Sequence, residues 1–191
     1  MKTIIFILFL FLLSPSSFAG DQQYEPLNPA TKLLLSHSIS DIPPNISSFS
    51  SSQNEQLWLD KEGKLLQNKI PDAFIRKNFL LTVHYEAIRA GLDPSLILGL
   101  IQVESDFNKY AVSSVGARGF MQVMPFWIRL IGDGSNDLFH LQTNLRFGCT
   151  ILRFYLNQEN GNLFRALGRY NGSLGKAQYP MAVWNASLKY R

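Results

Sequence analysis

Residues 96–107 read LILGLIQVESDF, and this stretch decides how the chain folds. Its aliphatic residues recur at helical spacing. At about 100° per residue, Glu104 projects between Ile97, Leu100 and Ile101 instead of toward the polar side of the helix. The spacing therefore predicts a core helix that carries a carboxyl group on its apolar face.

The residues in front of this stretch define where the helix begins. Gly91 can adopt the left-handed conformation that ends a preceding helix. Asp93 is suited to cap the next helix, and Pro94 is suited to its first position. We expect a helix from Pro94 to about Glu104.

The position of Glu104 has a chemical consequence. Burial disfavours the charged form of a carboxyl group and raises its pKa, and the C-terminal end of a helix acts in the same direction. A carboxylic acid that stays protonated near neutral pH can serve as a general acid. From this helix alone, two structural interpretations stay open: Glu104 reaches solvent where the helix ends, or it forms an ion pair.

Helical periodicity extends over the rest of residues 71–191, and no stretch alternates in the manner of a strand. We therefore predict one all-α domain there. Three patterns indicate its further helices. The first is a polar stripe within residues 71–91, made of Asn78, Thr82, Glu86 and Arg89. The second is a core-facing series within residues 141–155, made of Leu141, Leu145, Gly148, Leu152 and Tyr155, and the third is a helix capped by Asn162 with Leu163, Leu167 and Tyr170 on one face.

The first 70 residues have a different composition. Residues 1–19 combine Lys2, an apolar run and small residues up to Ala19, which is typical of a signal peptide cleaved near Ala19; an uncleaved tether is the alternative. Residues 20–70 contain a Ser-rich stretch and a Pro-Pro pair, which predict a flexible N-terminal arm or linker with a short helix or hairpin near its end. We expect an exported, periplasmic protein with a monomeric domain.

The chain carries a net charge of +4 and a single cysteine, Cys149, so it cannot form an internal disulfide. Cys149 lies in a helical apolar pattern and is predicted to belong to the core. The three histidines, His37, His84 and His140, show no metal-ligand spacing, and no nucleotide or nucleic-acid motif is present. The sequence therefore predicts no metal, no cofactor and no nucleic-acid partner.

Three short motifs occur in a fixed order: Glu104-Ser105, then residues 119–125 as GFMQVMP, then residues 169–171 as RYN. Together with the helices that join them, they resemble the lytic transglycosylase family with the soluble-transglycosylase domain, a relative of goose-type lysozymes. The resemblance covers about residues 73–180. It implies a lysozyme-like helical fold and peptidoglycan as the substrate.

The resemblance also implies a mechanism with one carboxyl group. Glu104 would act as acid and then as base, cleaving the β-1,4 bond between N-acetylmuramic acid (MurNAc) and N-acetylglucosamine (GlcNAc) and leaving a 1,6-anhydro ring. The acetamide of the substrate would assist. The same resemblance assigns substrate binding to five residues: Ser105, Met121, Gln122, Tyr170 and Asn171, with Tyr170 bonded to the acetamide or to Glu104. Four aromatic residues are further candidates for stacking on sugars: Phe126, Trp127, Tyr179 and Trp184.

A typical glycosidase uses a second carboxylate, and three were considered. Asp106 projects about 180° from Glu104, Asp137 is suited to be an N-cap, and Asp133 is suited to a turn. None of them is compelling as a nucleophile.

The sequence departs from the family pattern at Phe120, at Arg169 and in the loop NGSLG after the third motif. Arg169 stands where Ala is usual, so we expect it to crowd or contact the sugar groove and Arg169→Ala to change substrate affinity more than thermal stability. Two alternative functions remain: a hydrolytic muramidase, and a non-catalytic peptidoglycan-binding assembly factor. The small size of the protein is also compatible with an enzyme that opens the wall locally for a secretion or conjugation apparatus.

Overall fold

The computed structural model describes residues 22–40 and 53–191, so the predicted leader, residues 1–19, lies outside the described residues. The described part of the chain contains eight α-helices, a final 3-10 turn and no strand, which confirms the all-α class. In chain order they are α1 (Pro29–Ser40), α2 (Gln53–Leu65), α3 (Ala73–Arg89), α4 (Pro94–Ser105), α5 (Phe126–Ile131), α6 (Leu141–Gln158), α7 (Leu163–Asn171), α8 (Gln178–Ser187) and the turn Leu188–Tyr190.

The ends of α4 form as the sequence predicts. The carboxylate of Asp93 accepts a hydrogen bond from the backbone N–H of Ser95 (2.8 Å), and Pro94 occupies the first helical position. Gly91, just after α3, has a φ of 65°. Because Gly has no Cβ, it adopts this left-handed conformation without steric cost and reverses the chain between the two helices.

Helix α4 is the central helix, and it is buried on nearly every side. The face opposite Glu104 packs on the C-terminal segment instead of facing solvent, since Ser95 Oγ donates a hydrogen bond to the Tyr190 carbonyl (2.6 Å). At Gly99, a Cβ atom would lie 2.5 Å from the backbone nitrogen of Ser187. The absence of a side chain there lets α4 and α8 approach closely.

The polar stripe predicted on α3 is partly buried, and its Glu86 and Arg89 contact α6. Glu86 is fully buried; its Oε1 lies 2.9 Å from Arg146 Nη2 and its Oε2 lies 2.8 Å from Arg89 Nε. A buried carboxylate is tolerated when it is both paired and hydrogen-bonded. This cluster joins α3 to the long helix that lies behind the candidate site.

Two helices occupy the described parts of the arm, where the sequence predicted one short helix or hairpin. Helix α1 packs on α5 and α6 with Leu35 buried, and α2 packs on α3 with Leu59 buried. Residues 41–52 between them lie outside the described residues. No helix in the described ranges has the length and apolarity that crossing a membrane requires.

The prediction that Asp137 is an N-cap is wrong. His140 occupies the N-cap position of α6 without a capping bond from its side chain, and Asp137 instead accepts a hydrogen bond from the backbone N–H of Phe139 (2.8 Å) in the turn before it. The prediction for Asn162 is confirmed, since its side chain accepts from the backbone N–H of Arg165 (3.1 Å) at the start of α7.

Candidate active site

Glu104 lies in the last turn of α4, and its side chain is buried, with 6% of the residue surface exposed. The chain turns sharply after it, because Asp106 and Phe107 both have positive φ, 48° and 66°. Such values are uncommon for residues with a Cβ, and they cluster where a structure holds a functional group in place. Phe107 is buried against Phe79 and Tyr190, which anchors this turn.

One partner of Glu104 comes from α8. The Tyr179 hydroxyl donates a hydrogen bond to Glu104 Oε1 over 2.5 Å. Burial raises the pKa of Tyr179 well above its ordinary value, and the charge of Glu104 adds to this rise. Tyr179 is therefore a permanent hydrogen-bond donor to this carboxyl group at any pH near neutrality.

Sequence reasoning missed this function of Tyr179. The prediction that Tyr179 stacks on a sugar is wrong, because the residue is 1% exposed and its ring lies in the core. No local pattern could have revealed the contact, since 75 residues separate the two partners. Only the packing of α8 on α4 brings them together.

The second motif forms a tight loop that depends on backbone conformation. Gly119 has a φ of 75°, and a Cβ atom there would lie 2.5 Å from the Leu138 carbonyl oxygen. Gln122 has a φ of 48°, and its Nε2 donates to the carbonyls of Ala111 (3.1 Å) and Gly119 (2.9 Å). The side-chain N–H groups of Gln122 therefore donate to backbone carbonyls and hold the loop in place.

Asn144 on α6 organises the same loop, although no sequence pattern singles it out. Its Oδ1 accepts from the backbone N–H of Met121 (2.8 Å), and its Nδ2 donates to the carbonyls of Arg118 (2.9 Å) and Leu138 (2.8 Å). Asn144 is fully buried, so these bonds are shielded from water. It fixes the second motif against α6.

The third motif reaches the second through Tyr170. Its hydroxyl donates to the Met121 carbonyl (2.8 Å), whereas the sequence suggested the acetamide or Glu104 as its partner. Burial raises the pKa of Tyr170 well above its ordinary value, with the nearby charge of Glu104 as the next cause. Tyr170 thus lies beside Glu104 and supports the loop instead of the carboxyl group. Asn171, the last residue of α7, is also buried.

Ser105 joins the first motif to the second. Its hydroxyl lies 2.8 Å from the Phe120 carbonyl and 3.2 Å from the Ile101 carbonyl, and it can donate to either. Ser105 therefore ties the end of α4 to the second loop, and its oxygen lone pairs are left to accept hydrogen bonds.

Hydrogen bonds link the three motifs to one another, but the burial of several predicted site residues changes how they can act. Met121 and Tyr170 have no exposed surface, and Gln122 is 2% exposed. Side chains as buried as these support a binding surface more than they present one. Ser105 is half-buried and is better placed to meet a ligand directly.

The other aromatic candidates divide in the same way. Trp127 is buried, so the prediction that it stacks on a sugar is wrong, whereas Phe126 and Trp184 are partly exposed. The Arg191 guanidinium lies over the Trp184 ring, 4.2 Å from its centre.

The Arg169 guanidinium is paired with two carboxylates. Its Nε pairs with Glu159, and its Nη1 lies 3.2 Å from Oε1 of Glu25, so its guanidinium joins α7 to the end of α6 and to the arm. The pKa of Glu159 is lowered, first by hydrogen bonds from Arg169 and then by those from Arg165. Arg169 therefore stabilises the contacts of α7 with the end of α6 and with the arm.

The remaining candidate groups have ordinary structural partners. Asp106 pairs with Lys69, and the backbone N–H and hydroxyl of Ser135 bond to Asp133 and lower its pKa. Burial raises the pKa of the Cys149 thiol, which keeps it protonated and places it in the core as predicted. Within residues 22–40 and 53–191, no group of three or more His, Cys, Asp or Glu side chains could hold a metal ion.

These features define a lysozyme-like helical domain with a buried glutamate at the end of its central helix. The sequence matches the model of the transglycosylase SLT domain over residues 82–183, which is more than half of the chain. The chain belongs to this family.

Curated relatives match over a shorter segment. The chain is 53% identical over 49 residues to membrane-bound lytic murein transglycosylase C of Actinobacillus pleuropneumoniae serotype 5b, a match that covers 26% of the chain and 13% of that protein. It is 49% identical over 49 residues to the protein of the same name from Haemophilus influenzae, covering 26% of the chain and 14% of that protein. The matched segment thus spans only a small part of these relatives.

A solved structure supports the fold. The lytic transglycosylase Slt from Pseudomonas aeruginosa, crystallised as an inactive Glu-to-Gln mutant, superposes with a TM-score of 0.51 and 27% sequence identity. The match covers 57% of this chain and 23% of that one.

Proposed function

We propose that this protein is a peptidoglycan lytic transglycosylase with Glu104 as its single catalytic carboxyl group. The observation that carries the proposal is the buried position of Glu104 at the end of α4, with its Oε1 held by the Tyr179 hydroxyl. Membership of the SLT family, the names of the curated relatives, and the inactivity of a Glu-to-Gln mutant of Slt support it.

The proposed reaction proceeds in two steps. In the first, the Glu104 carboxyl gives its proton to the oxygen that links MurNAc to GlcNAc, while the acetamide oxygen of MurNAc bonds to its anomeric carbon and GlcNAc leaves. In the second, the Glu104 carboxylate takes the proton of the C6 hydroxyl. The C6 oxygen then bonds to the anomeric carbon, the acetamide is released, and a 1,6-anhydro ring closes without water.

The surroundings of Glu104 suit a group that must be acid and then base. Burial favours the neutral form of a carboxylic acid, whereas a donated hydrogen bond favours the carboxylate. Tyr179 keeps its proton and is one such donor. Both forms of Glu104 are thereby accessible in succession within one site.

The other motif residues take two roles in this proposal. Ser105 and Asn171 contact the sugar, with the Ser105 oxygen accepting from a sugar hydroxyl. Met121, Gln122 and Tyr170 hold the second loop in the shape that receives the glycan, through the bonds of Tyr170 to Met121 and of Gln122 to its own loop.

An exported protein of the cell envelope is the setting that fits this reaction. The curated relatives are named as membrane-bound murein transglycosylases, and residues 1–19 of this chain carry the composition of a leader peptide. We propose a monomer that acts on glycan strands after export. Local opening of the wall for a secretion or conjugation apparatus is one use of such an enzyme.

Digestion of purified sacculi tests the proposal. A lytic transglycosylase releases anhydro-muropeptides, which are lighter by one water than the products of a muramidase. A non-catalytic binding factor releases nothing. Products that carry the added water, or no soluble products at all, would replace the proposed function by one of these alternatives.

A further inference from the structure

Three residues of the segment 22–28, which precedes α1, lie outside the matched family region and yet contact the second and third motifs or the residues next to them. Tyr24 packs edge-on against the Phe126 ring, with 5.6 Å between ring centres, and Glu25 pairs with Arg169. Gln22, in the same segment, is 3% exposed. A glutamine this deeply buried in a polar segment requires partners for its amide.

The Gln22 side chain finds those partners at the start of α5. Its Oε1 accepts hydrogen bonds from the backbone N–H of Met124 (3.3 Å) and from the indole N–H of Trp127 (3.0 Å). A buried backbone N–H and a buried indole N–H each need an acceptor. One side-chain oxygen satisfies both, at the end of the second motif and the start of α5.

The other end of the same side chain has no such partners. The Gln22 Nε2 is buried without a hydrogen-bond partner in the described part of the chain. The two bonds of Oε1 therefore hold this side chain, and they join residue 22 to residues 124–127. Tyr170 holds the same loop from another side, at the Met121 carbonyl.

We propose that Gln22 is a positioning residue of the active site, which fixes the end of the second motif at Met124 and the start of α5 at Trp127. The inference rests on the proposed function and adds to it a residue outside the family domain. The first residues of the described arm are then part of the catalytic unit, not only a connection to it. The exposed Glu25–Arg169 pair contributes less, since pairs at a surface are screened by water and salt.

The test compares two neighbouring glutamines in the full chain. Gln22→Met keeps the length and most of the volume of the side chain but removes the acceptor, and Gln23→Met makes the same change at an exposed position. Trp127 is one of three tryptophans, so its indole N–H resonance can be assigned and followed. The thermal midpoint, and kcat and KM on soluble glycan strands, are measured on the same samples.

We expect Gln22→Met to move the Trp127 indole resonance and to lower kcat about tenfold with KM within about twofold, because small displacements of positioned groups cost rate more than binding. Gln23→Met leaves all of these unchanged. Gln22→Glu, which retains an acceptor oxygen, recovers part of the lost kcat. If Gln22→Met does not fold, the comparison of Gln22→Glu with Gln22→Asn, whose acceptor is one carbon shorter, replaces it, and Gln22→Asn is expected to be the slower.

Two results would overturn the inference: an unmoved Trp127 resonance in Gln22→Met, or a kcat within twofold of the unsubstituted protein. A failure of the proposed function looks different, because the unsubstituted protein then releases no anhydro products. In that case, glycan affinity replaces kcat as the readout. Equal affinity in Gln22→Met and in the unsubstituted protein would then overturn the inference.

Discussion

The Tyr179 hydroxyl and Glu104 Oε1 are 2.5 Å apart, and this hydrogen bond joins the ends of the two helices that pack most extensively on each other. Both side chains are almost fully buried. The bond fixes the direction in which the carboxyl group of Glu104 points. Tyr179 thus holds the Glu104 side chain in the candidate site.

Replacing Tyr179 by Phe tests this dependence. We expect Tyr179→Phe to lower the rate of anhydro-muropeptide release by roughly tenfold to a hundredfold, because a misdirected carboxyl group transfers protons poorly. The ring still fills its place, so the loss in unfolding free energy stays near 1 kcal/mol. The control is Tyr155→Phe, because Tyr155 is also a buried tyrosine but lies on α6, outside the three motifs. Full activity in Tyr179→Phe would show that the bond has no catalytic importance.

The contact between α4 and α8 at Gly99 should be equally sensitive. A Cβ at Gly99 would lie 2.5 Å from Ser187 N and 2.7 Å from Ser187 Cα, and backbone atoms cannot yield as a flexible side chain does. We expect Gly99→Ala to destabilise the fold by roughly 1–3 kcal/mol and to reduce activity, since the helices that carry Glu104 and Tyr179 are pushed apart.

Gly63 on α2 gives a matched control, because a Cβ there has only Leu80 Cδ1 nearby, at 4.0 Å. Gly63→Ala should stabilise the protein by about 0.5–1 kcal/mol through helix propensity. Urea unfolding measures both variants. A Gly99→Ala protein as stable as Gly63→Ala would contradict the close approach of α4 and α8.

Several parts of the fold could be predicted from local patterns, because local chemistry decides them. Asp93 and Pro94 start α4 and Asn162 starts α7, since capping depends only on neighbouring backbone groups. The place of Glu104 on a buried face followed from helical periodicity alone.

Other parts depend on contacts that local patterns do not record. The bond between Tyr179 and Glu104, and the bonds of Asn144 to Met121 and Arg118, join residues far apart in sequence. Gln22 lies in a segment with no periodicity at all. Trp127 was misjudged because an aromatic residue beside a binding motif is as well suited to the core as to a sugar.

The pairing of Arg169 leads to a different expectation from the one the sequence suggested. We now expect Arg169→Ala to lower the thermal midpoint slightly and to leave KM within about twofold. The effect of Arg169→Ala on stability depends on pH, because Arg169 lowers the pKa of Glu159. A lowered pKa contributes stability that is present above the unfolded pKa and is lost as the pH falls, so the difference between Arg169→Ala and the unsubstituted protein shrinks in acid.

Thermal melts at a series of pH values, together with KM, check this prediction. Lys176→Ala, at an exposed position in the loop after the third motif, controls for the loss of a positive charge. A large rise in KM without a change in the thermal midpoint would restore the earlier expectation that Arg169 contacts the glycan.

The buried Glu62 on α2 should give the opposite pH dependence. Its side chain has no exposed surface, and burial raises its pKa although Lys61, 3.3 Å away, acts to lower it. A raised pKa contributes stability that is complete below the unfolded pKa and is lost as the pH rises through the folded value. Glu62→Gln, which carries no charge, should therefore stabilise the protein at neutral pH.

The gain from Glu62→Gln should diminish as the pH falls toward about 4, where the native glutamate is protonated as well. Unfolding midpoints across this range check the prediction, and Asp60→Asn on the exposed side of α2 is the control. A Glu62→Gln variant that is less stable than the native protein at neutral pH would show that Glu62 is stabilised as a charged group.

The most direct measurement for the central claim is the mass of the muropeptides released from purified sacculi by the native protein and by Glu104→Gln. The amide resembles the carboxyl group in size but can neither give nor take the proton, so the fold should persist, as circular dichroism and thermal melts would show. We expect 1,6-anhydro products from the native protein and none from Glu104→Gln. Undiminished release of anhydro products by folded Glu104→Gln would contradict the catalytic role of Glu104.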